Sequence, residues 1–307
     1  MKIVFMGTPD FAVPCLRALA ESSHEVAAVF TQPDKPKGRG YKLIPTPVKA
    51  AALEYGIPVY QPLSLRKGED AEEAMRILRD IAPDLIAVTA YGQILPKEVL
   101  ELPPHGCINI HASLLPRYRG AAPINWVLLN GETETGVTSM QMDIGLDTGD
   151  MLIKRSTKIG ENETYEELYS RLADMGGEVL LETLDAVENG TLASEKQDDS
   201  LSCYSPMIRK EMSALDFTET AAAVHNRIRG VTGFTMLGGK RLKVFASELA
   251  GKVSGAPGEI SDPADFTVAC GDGNGIRFLE VQLEGSKRMK IADFLRGKKL
   301  TKGEKLG

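Results

Sequence analysis

Two residues in one short run have types that could stabilise a developing negative charge and move a proton. In Ile108-Asn109-Ile110-His111-Ala112-Ser113-Leu114-Leu115-Pro116, an asparagine and a histidine stand two apart. Side chains of a strand alternate between its faces, so a strand over 107–111 points Asn109 and His111 one way and Ile108 and Ile110 the other. An asparagine amide can donate a hydrogen bond to an oxygen that gains negative charge. A histidine can move a proton near neutral pH. Taken alone, an N-x-H pair fits a structural role as well as a catalytic one. Its place before an apolar Leu-Leu-Pro turn strengthens the chemical reading.

A second candidate is Met140-Gln141-Met142-Asp143-Ile144-Gly145-Leu146-Asp147-Thr148-Gly149-Asp150. Its glycines give a loop unusual backbone freedom. A carboxylate from such a loop could orient a histidine and stabilise its cation, as the acid of a triad does. The same acids could instead cap the amides of a surface turn. Cys107 falls on Asn109's side of the strand, but nothing near it in sequence marks an activated nucleophile. Gly7-Thr8-Pro9-Asp10-Phe11 follows the first apolar run, where a dinucleotide site would sit. It has neither G-x-G-x-x-G nor a following G-K-[ST], so it does not argue for NAD or ATP.

These residues need elements to position them. Apolar runs at 2–6, 25–30, 84–89 and 107–111 read as strands. Amphipathic segments at 11–21, 47–55 and 70–81 read as helices between them, the last with acids first and arginines late, as the helix dipole favours. This alternation predicts a mostly parallel sheet covered on both faces. Such sheets bind ligands in a crevice outside the carboxyl ends of their strands, where Asn109 and His111 would lie. A longer helical pattern runs over 164–188, interrupted by Gly176-Gly177. Residues 190–206 are polar and without periodicity, and read as a linker. Beyond it, a helix over 217–229 and short strands at 242–247, 266–270 and 276–282 predict a small β-barrel.

The 307 residues suggest two domains. We therefore expect an α/β domain over 1–189, a linker over 190–206 and a barrel over 207–307. At 43% hydrophobic and 25% charged, the composition is that of a globular protein. No run approaches the ~18–20 apolar residues of a membrane span. The N-terminal apolar run is too short for a secretion signal, so a cytoplasmic location is expected. Cys15, Cys107, Cys203 and Cys270 form no C-x-x-C pair, and no cluster has metal-ligand spacing; no metal is expected. The net charge of −6 is uneven: residues 1–206 carry 19 Lys+Arg and 30 Asp+Glu, whereas 207–307 carry 17 and 12. A basic final third on an acidic body suits a polyanionic partner, or simply a solvated basic surface with a frayed Lys-rich tail.

Four ordered blocks resemble the methionyl-tRNA formyltransferase family. They are Gly7-Thr8-Pro9-Asp10-Phe11; Gln32-Pro33-Asp34-x-Pro36-x-Gly38-Arg39-Gly40; His111 to Pro116 with Arg119-Gly120-Ala121-Ala122-Pro123-Ile124; and Met140 to Asp150. The resemblance runs from about residue 3 to about 205, and more loosely to the end. It implies a Rossmann-like formyltransferase domain followed by an OB-like barrel, with 10-formyltetrahydrofolate as donor and methionyl-initiator tRNA as acceptor. It implies Asn109, His111 and Asp147 as the catalytic set, and Ser113, Leu114, Leu115 and Pro116 as a folate-contacting turn. The cationic segment 31–49 becomes a loop engaging the acceptor arm, with Arg39 and Lys42 near nucleic acid. A monomer is expected. One departure stands out: after Arg227-Ile228-Arg229 the family continues with an aromatic, proline-rich run, and here the chain reads Gly230-Val231-Thr232-Gly233-Phe234-Thr235-Met236.

The implied chemistry follows from the residue types. The amine attacks a formyl carbon, and charge grows on the formyl oxygen. Asn109 and a protonated His111 stabilise that oxygen, while Asp147 orients the ring. Esterification removes the acceptor's carboxylate and lowers the amine pKa, leaving a neutral fraction near pH 7. Three rivals remain: a formyltransferase acting on a small amine such as an amino sugar nucleotide, a folate-dependent hydrolase releasing formate, and a non-catalytic RNA-binding protein. The first two do not need a basic barrel, and the third does not need all three polar residues.

Overall fold

The computed structural model describes residues 1–37 and 42–307. The chain divides into two compact units that do not follow chain order. The first holds 1–120, 136–157 and 169–204; the second holds 121–135, 158–168 and 205–307.

The first unit is built on a seven-stranded sheet: β1 (Lys2–Gly7), β2 (Glu25–Phe30), β3 (Val59–Tyr60), β4 (Leu85–Thr89), β5 (Cys107–His111), β6 (Glu134–Gln141) and β7 (Met151–Lys158). Their spatial order is β7-β6-β5-β4-β1-β2-β3. β1 to β5 pair in parallel, and β6 joins β5 antiparallel. The chain winds outward from β1 to one side and then to the other, so the order reverses between β1 and β4. That is where open α/β sheets form their crevice.

The helices over residues 1–188 are α1 (Val13–Ala20), α2 (Pro47–Glu54), α3 (Glu69–Ile81), α4 (Lys97–Leu100), α5 (Pro123–Leu129), which belongs to the second unit, and α6 (Tyr165–Glu188). Thr46 caps α2 by accepting from the Lys49 amide at 3.1 Å, with Pro47 in the first turn. A 3-10 turn over 10–12 precedes α1, and Ala12 occupies its cap with no side-chain cap hydrogen bond. The Gly176-Gly177 pair does not interrupt α6. A Cβ at Gly176 would lie 3.2 Å from Ile110 and 3.3 Å from the Cys15 sulfur; one at Gly177 would lie 3.1 Å from the Pro14 carbonyl. The glycines let α6 close on β5 and α1, and that packing outweighs their helix penalty of about 1 kcal/mol each. The core on the opposite face gathers Val4, Met6, Phe30, Leu78, Ile86 and Cys107.

Residues 190–204 have no periodic pattern because they are held by pairing rather than by a packed face. Met151 and Glu195 exchange backbone hydrogen bonds at 2.8 Å, and the Arg119 amide donates to the Cys203 carbonyl at 2.9 Å. They cluster with the first unit.

The second unit centres on α7 (Ala221–Val231), α8 (Ile291–Gly297) and an antiparallel sheet: β8 (Gly233–Leu237), β9 (Lys240–Lys252), β10 (Ile260–Asp262), β11 (Thr267–Ala269), β12 (Asn274–Leu283) and β13 (Met289–Lys290). The order is β8-β9-β12-β11-β10, with β13 on β12. The sheet closes through the last residues. Gly303 donates to the Ile260 carbonyl and Leu306 to Gly258 on one edge, while Gly307 donates to Met236 on the other. Leu306 is buried, so the tail that reads as frayed is docked at its end. The run 230–236 that departs from the family pattern finishes α7, turns at Thr232 (φ +55°) and starts β8. At Gly230 a Cβ would press on Leu128 and Leu129 of α5, whose Asn125 amide donates to the Gly230 carbonyl at 2.7 Å.

Candidate active site

β5 carries the first two site residues to the carboxyl edge of the sheet. Its alternation is as the sequence predicts: Ile110 meets α6, while Cys107 lies on the other face under α4. Asn109 is half-buried, and its side-chain amide has no hydrogen-bond partner among the described residues. The pairing at this edge is tight, with His111 opposite Thr138 of β6.

The His111 ring is 6% exposed and lies between two groups from different loops. Its Nε2 is 2.9 Å from the Tyr118 carbonyl. A carbonyl only accepts, so Nε2 carries a hydrogen and donates it. Nδ1 is then the nitrogen free to gain or lose a proton. It faces the Asp147 Oδ2 at 3.7 Å. That separation is too long for a hydrogen bond but gives a charged ring its counter-ion. The same Oδ2 accepts from the Gly120 amide at 2.8 Å, which fixes the carboxylate.

The Met140–Asp150 segment is the connection between β6 and β7, closed where Gln141 donates to the Asp150 carbonyl at 2.9 Å. A Cβ at Gly149 would run into the Gln141 carbonyl, so only glycine lets the two limbs approach this closely. The loop's acids divide their work. Asp143 caps locally, accepting from the Gly145 amide at 2.9 Å and the Thr148 hydroxyl at 2.7 Å. Asp147 turns inward with a left-handed backbone, φ +54°, and its side chain is 13% exposed. A non-glycine residue held in that region costs on the order of 1 kcal/mol or more, a strain that recurs at functional sites.

The turn 113–116 is shaped from within. The Ser113 hydroxyl donates to the Arg117 carbonyl at 2.7 Å. The Leu115 amide donates to the Thr138 hydroxyl at 3.2 Å, which itself donates to the Ser113 carbonyl at 2.7 Å. Leu115 is buried, whereas Leu114 and Pro116 are half-buried. At the same sheet edge, the Thr8 hydroxyl and Gln32 amide both donate to the Tyr91 carbonyl, at 2.8 and 3.4 Å. These bonds tie the ends of β1, β2 and β4 together.

Not every candidate joins the site. Arg39 lies outside the described residues. Lys42 opens a short strand, Lys42–Ile44, paired with Lys35–Lys37. Lys49 is engaged elsewhere, bonding Asp34 at 2.6 Å and Gln61 at 2.7 Å. Cys107 is fully buried, and burial pushes its thiol up to about 12. A thiol so protonated is no nucleophile at neutral pH. Cys107→Ala should leave turnover unchanged while costing about 1 kcal/mol of stability, as core substitutions commonly do; steady-state rates and thermal melts check both. Among the described residues, His24, Asp185 and Glu188 bring potential ligand atoms within 4.8 Å of one another. His24 stands just before β2, at the amino end of the strands and away from His111.

Sequence reasoning did not find Gln197. Its side-chain nitrogen donates to the carbonyls of Asp147 at 2.8 Å and Gly149 at 2.7 Å, and its oxygen accepts from Arg119 Nε at 2.9 Å. The segment around it has no pattern that marks such a residue.

An amide donor, an imidazole and an aligned carboxylate at the carboxyl edge of a parallel sheet define an α/β site suited to acyl transfer. Comparison with known proteins makes the class specific. A family model described as formyl transferase matches residues 1–184, and one for the formyl transferase C-terminal domain matches 207–299. The methionyl-tRNA formyltransferase of Geobacter sulfurreducens is 54% identical, covering 100% of this chain and 97% of its own length. That of Alkaliphilus oremlandii is 47% identical, covering 100% of both. Among solved structures, the N-formyltransferase of Helicobacter canadensis, in complex with folinic acid and dTDP-3-aminofucose, superposes with a TM-score of 0.66. It is 22% identical over 91% of this chain and 98% of its own. HypX from Aquifex aeolicus, in complex with tetrahydrofolic acid, gives 0.63 at 18% identity over 96% of this chain and 47% of its own. The chain belongs to the methionyl-tRNA formyltransferase family. No described helix is long and apolar enough to cross a membrane.

Proposed function

We propose that this protein transfers the formyl group of 10-formyltetrahydrofolate to the α-amino group of methionyl-initiator tRNA. One observation carries the mechanism: the His111 ring is held between the Tyr118 carbonyl and the Asp147 carboxylate, with the unspent Asn109 amide on the same face of β5. The residues fit a formyl donor. Asn109 offers an N–H that no group among the described residues uses, and the half-buried Leu114 and Pro116 of the turn that follows β5 offer apolar surface for a flat ring system. Ser113 and Leu115 keep the turn in shape.

The bound folate supplies a formyl carbon on nitrogen, so the chemistry is acyl transfer without a covalent enzyme intermediate. Asn109 donates to the formyl oxygen as negative charge develops there. His111 takes the proton lost by the attacking amine at Nδ1, because Nε2 is committed to Tyr118. Asp147 balances the resulting imidazolium and fixes the ring plane. The positive ring next to the reacting centre then favours the anionic oxygen; as that oxygen re-forms the carbonyl, the bond from the folate nitrogen to the formyl carbon breaks, the Nδ1 proton passes to that nitrogen, and tetrahydrofolate leaves.

The acceptor reading draws on the 47–54% identity to methionyl-tRNA formyltransferases and on the basic barrel over 207–307. A small-amine acceptor leaves that barrel idle. With formyl donor present, charged initiator tRNA should be formylated and an amino sugar nucleotide should not; the reverse result would overturn the acceptor assignment. Phosphate contacts release counter-ions, so tRNA affinity should fall steeply with salt. The resemblance of segment 31–49 to the family's loop supports reading Arg39 and Lys42 as contacts to the tRNA acceptor arm. Arg39→Ala should raise KM for tRNA and spare folate binding. An unchanged KM would remove this side chain from the contact surface.

A further inference from the structure

We infer that Gln197 is a positioning residue for the Asp147 carboxylate. This rests on the reading of Asn109, His111 and Asp147 given above, and extends it to a residue 50 positions along the chain.

Asp147 has a left-handed backbone, φ +54°, in a loop whose neighbours Ile144 and Leu146 are exposed. Such a residue holds its conformation only where the surroundings over-determine it. The structure supplies two restraints on Asp147. The Gly120 amide holds its carboxylate at 2.8 Å, and the Gln197 amide holds its backbone carbonyl at 2.8 Å. Gln197 also donates to Gly149 at 2.7 Å, so both hydrogens of one amide clamp the loop on either side of Thr148. Its oxygen is occupied by Arg119 Nε at 2.9 Å, which fixes the amide's orientation.

The strand of chain that bears Gln197 reaches the other partner of the His111 ring as well. Two residues before Gln197, Glu195 pairs with Met151 just past the loop. Six residues after it, the Cys203 sulfur accepts from the Tyr118 amide at 3.2 Å, and the Cys203 carbonyl accepts from the Arg119 amide at 2.9 Å. Tyr118 is the residue whose carbonyl receives His111 Nε2. The segment 195–203 thus pins the loop that faces Nδ1 and the turn that faces Nε2. Gln197 touches no reacting atom. Its effect is on where the Asp147 carboxylate sits relative to the ring, and a misplacement of about 1 Å at such a site can cost up to a hundredfold in rate.

The test is a double-mutant cycle on the full chain, read as steady-state formyl transfer to methionyl-initiator tRNA. Gln197→Ala should lower kcat by about ten- to a hundredfold. KM for tRNA and for the formyl donor should stay within about twofold, since no ground-state contact is lost. In an Asp147→Asn background the same substitution should cost nothing further, because Gln197 acts through that carboxylate. Gln197→Glu keeps the acceptor for Arg119 and loses both N–H donors, so it should match Gln197→Ala; it carries the test if the alanine variant does not fold. Unchanged kcat in Gln197→Glu, or a full additional loss in the Asp147→Asn background, overturns the inference. If Asp147→Asn alone keeps wild-type turnover, the reading of the site fails and the inference falls with it. That result is distinct, because it appears in the single variant.

Discussion

Asn109→Ala is expected to lower kcat for formyl transfer by about a hundredfold to a thousandfold, the cost of deleting one preorganised donor to a developing oxyanion. The amide has no protein partner among the described residues, so its loss leaves no orphaned group behind. Its half-buried place on β5 is flanked by Ile108 and Ile110, which hold the strand. The thermal midpoint should therefore move little. KM for tRNA should hold, because charge on the formyl oxygen exists only in the transition state. Stopped-flow or steady-state formylation with both substrates varied measures the split. A rise in KM at constant kcat would instead make Asn109 a ground-state binding residue.

His111→Gln should cost about a hundredfold to ten-thousandfold in kcat, the range for a positioned acid–base group. Glutamine can still donate toward the Tyr118 carbonyl that now receives Nε2, so the turn keeps a partner. It cannot take a proton. Asp147→Asn keeps the size of the loop residue and removes the charge that faces Nδ1 at 3.7 Å. Combined with His111→Gln it should add little, since its effect runs through the ring. Binding of methionyl-initiator tRNA, followed by fluorescence anisotropy, should be near wild type in all three variants. A parallel loss of binding would mark these residues as structural.

Much of this arrangement is legible in sequence, for physical reasons. Apolar runs such as Ile3-Val4-Phe5-Met6 and Leu85-Ile86-Ala87-Val88 are buried on both faces, and read directly as central parallel strands. The N-x-H spacing translates into one face of β5 by strand alternation alone. β6 is less legible because its buried residues include Thr138 and Ser139. Their hydroxyls are satisfied by the Ser113 carbonyl and the Ile153 carbonyl, contacts that no local pattern announces. The Asp147 loop reads as either capping or catalytic; in the structure Asp143 caps local groups, while the Asp147 carboxylate faces the His111 ring.

Other features depend on long-range pairing. The Gly176-Gly177 pair reads as a break because glycine lowers helix propensity; only the approach of Pro14 and Ile110 shows why the helix runs through it. The segment 190–206 reads as a linker because backbone pairing and one glutamine hold its residues 190–204, and neither leaves a periodic signature. The clustering of 121–135 and 158–168 with the C-terminal strands is likewise invisible along the chain. One link is the Asn125 bond to Gly230, across 105 residues.

The most direct test of the central claim is formyl transfer from 10-formyltetrahydrofolate to methionine-charged initiator tRNA, run beside charged elongator methionine tRNA and free methionine. The account predicts formyl-methionine on the initiator tRNA, with far less on the elongator and none on the free amino acid. Formate release or formylation of free methionine, with no product on charged initiator tRNA, would contradict it.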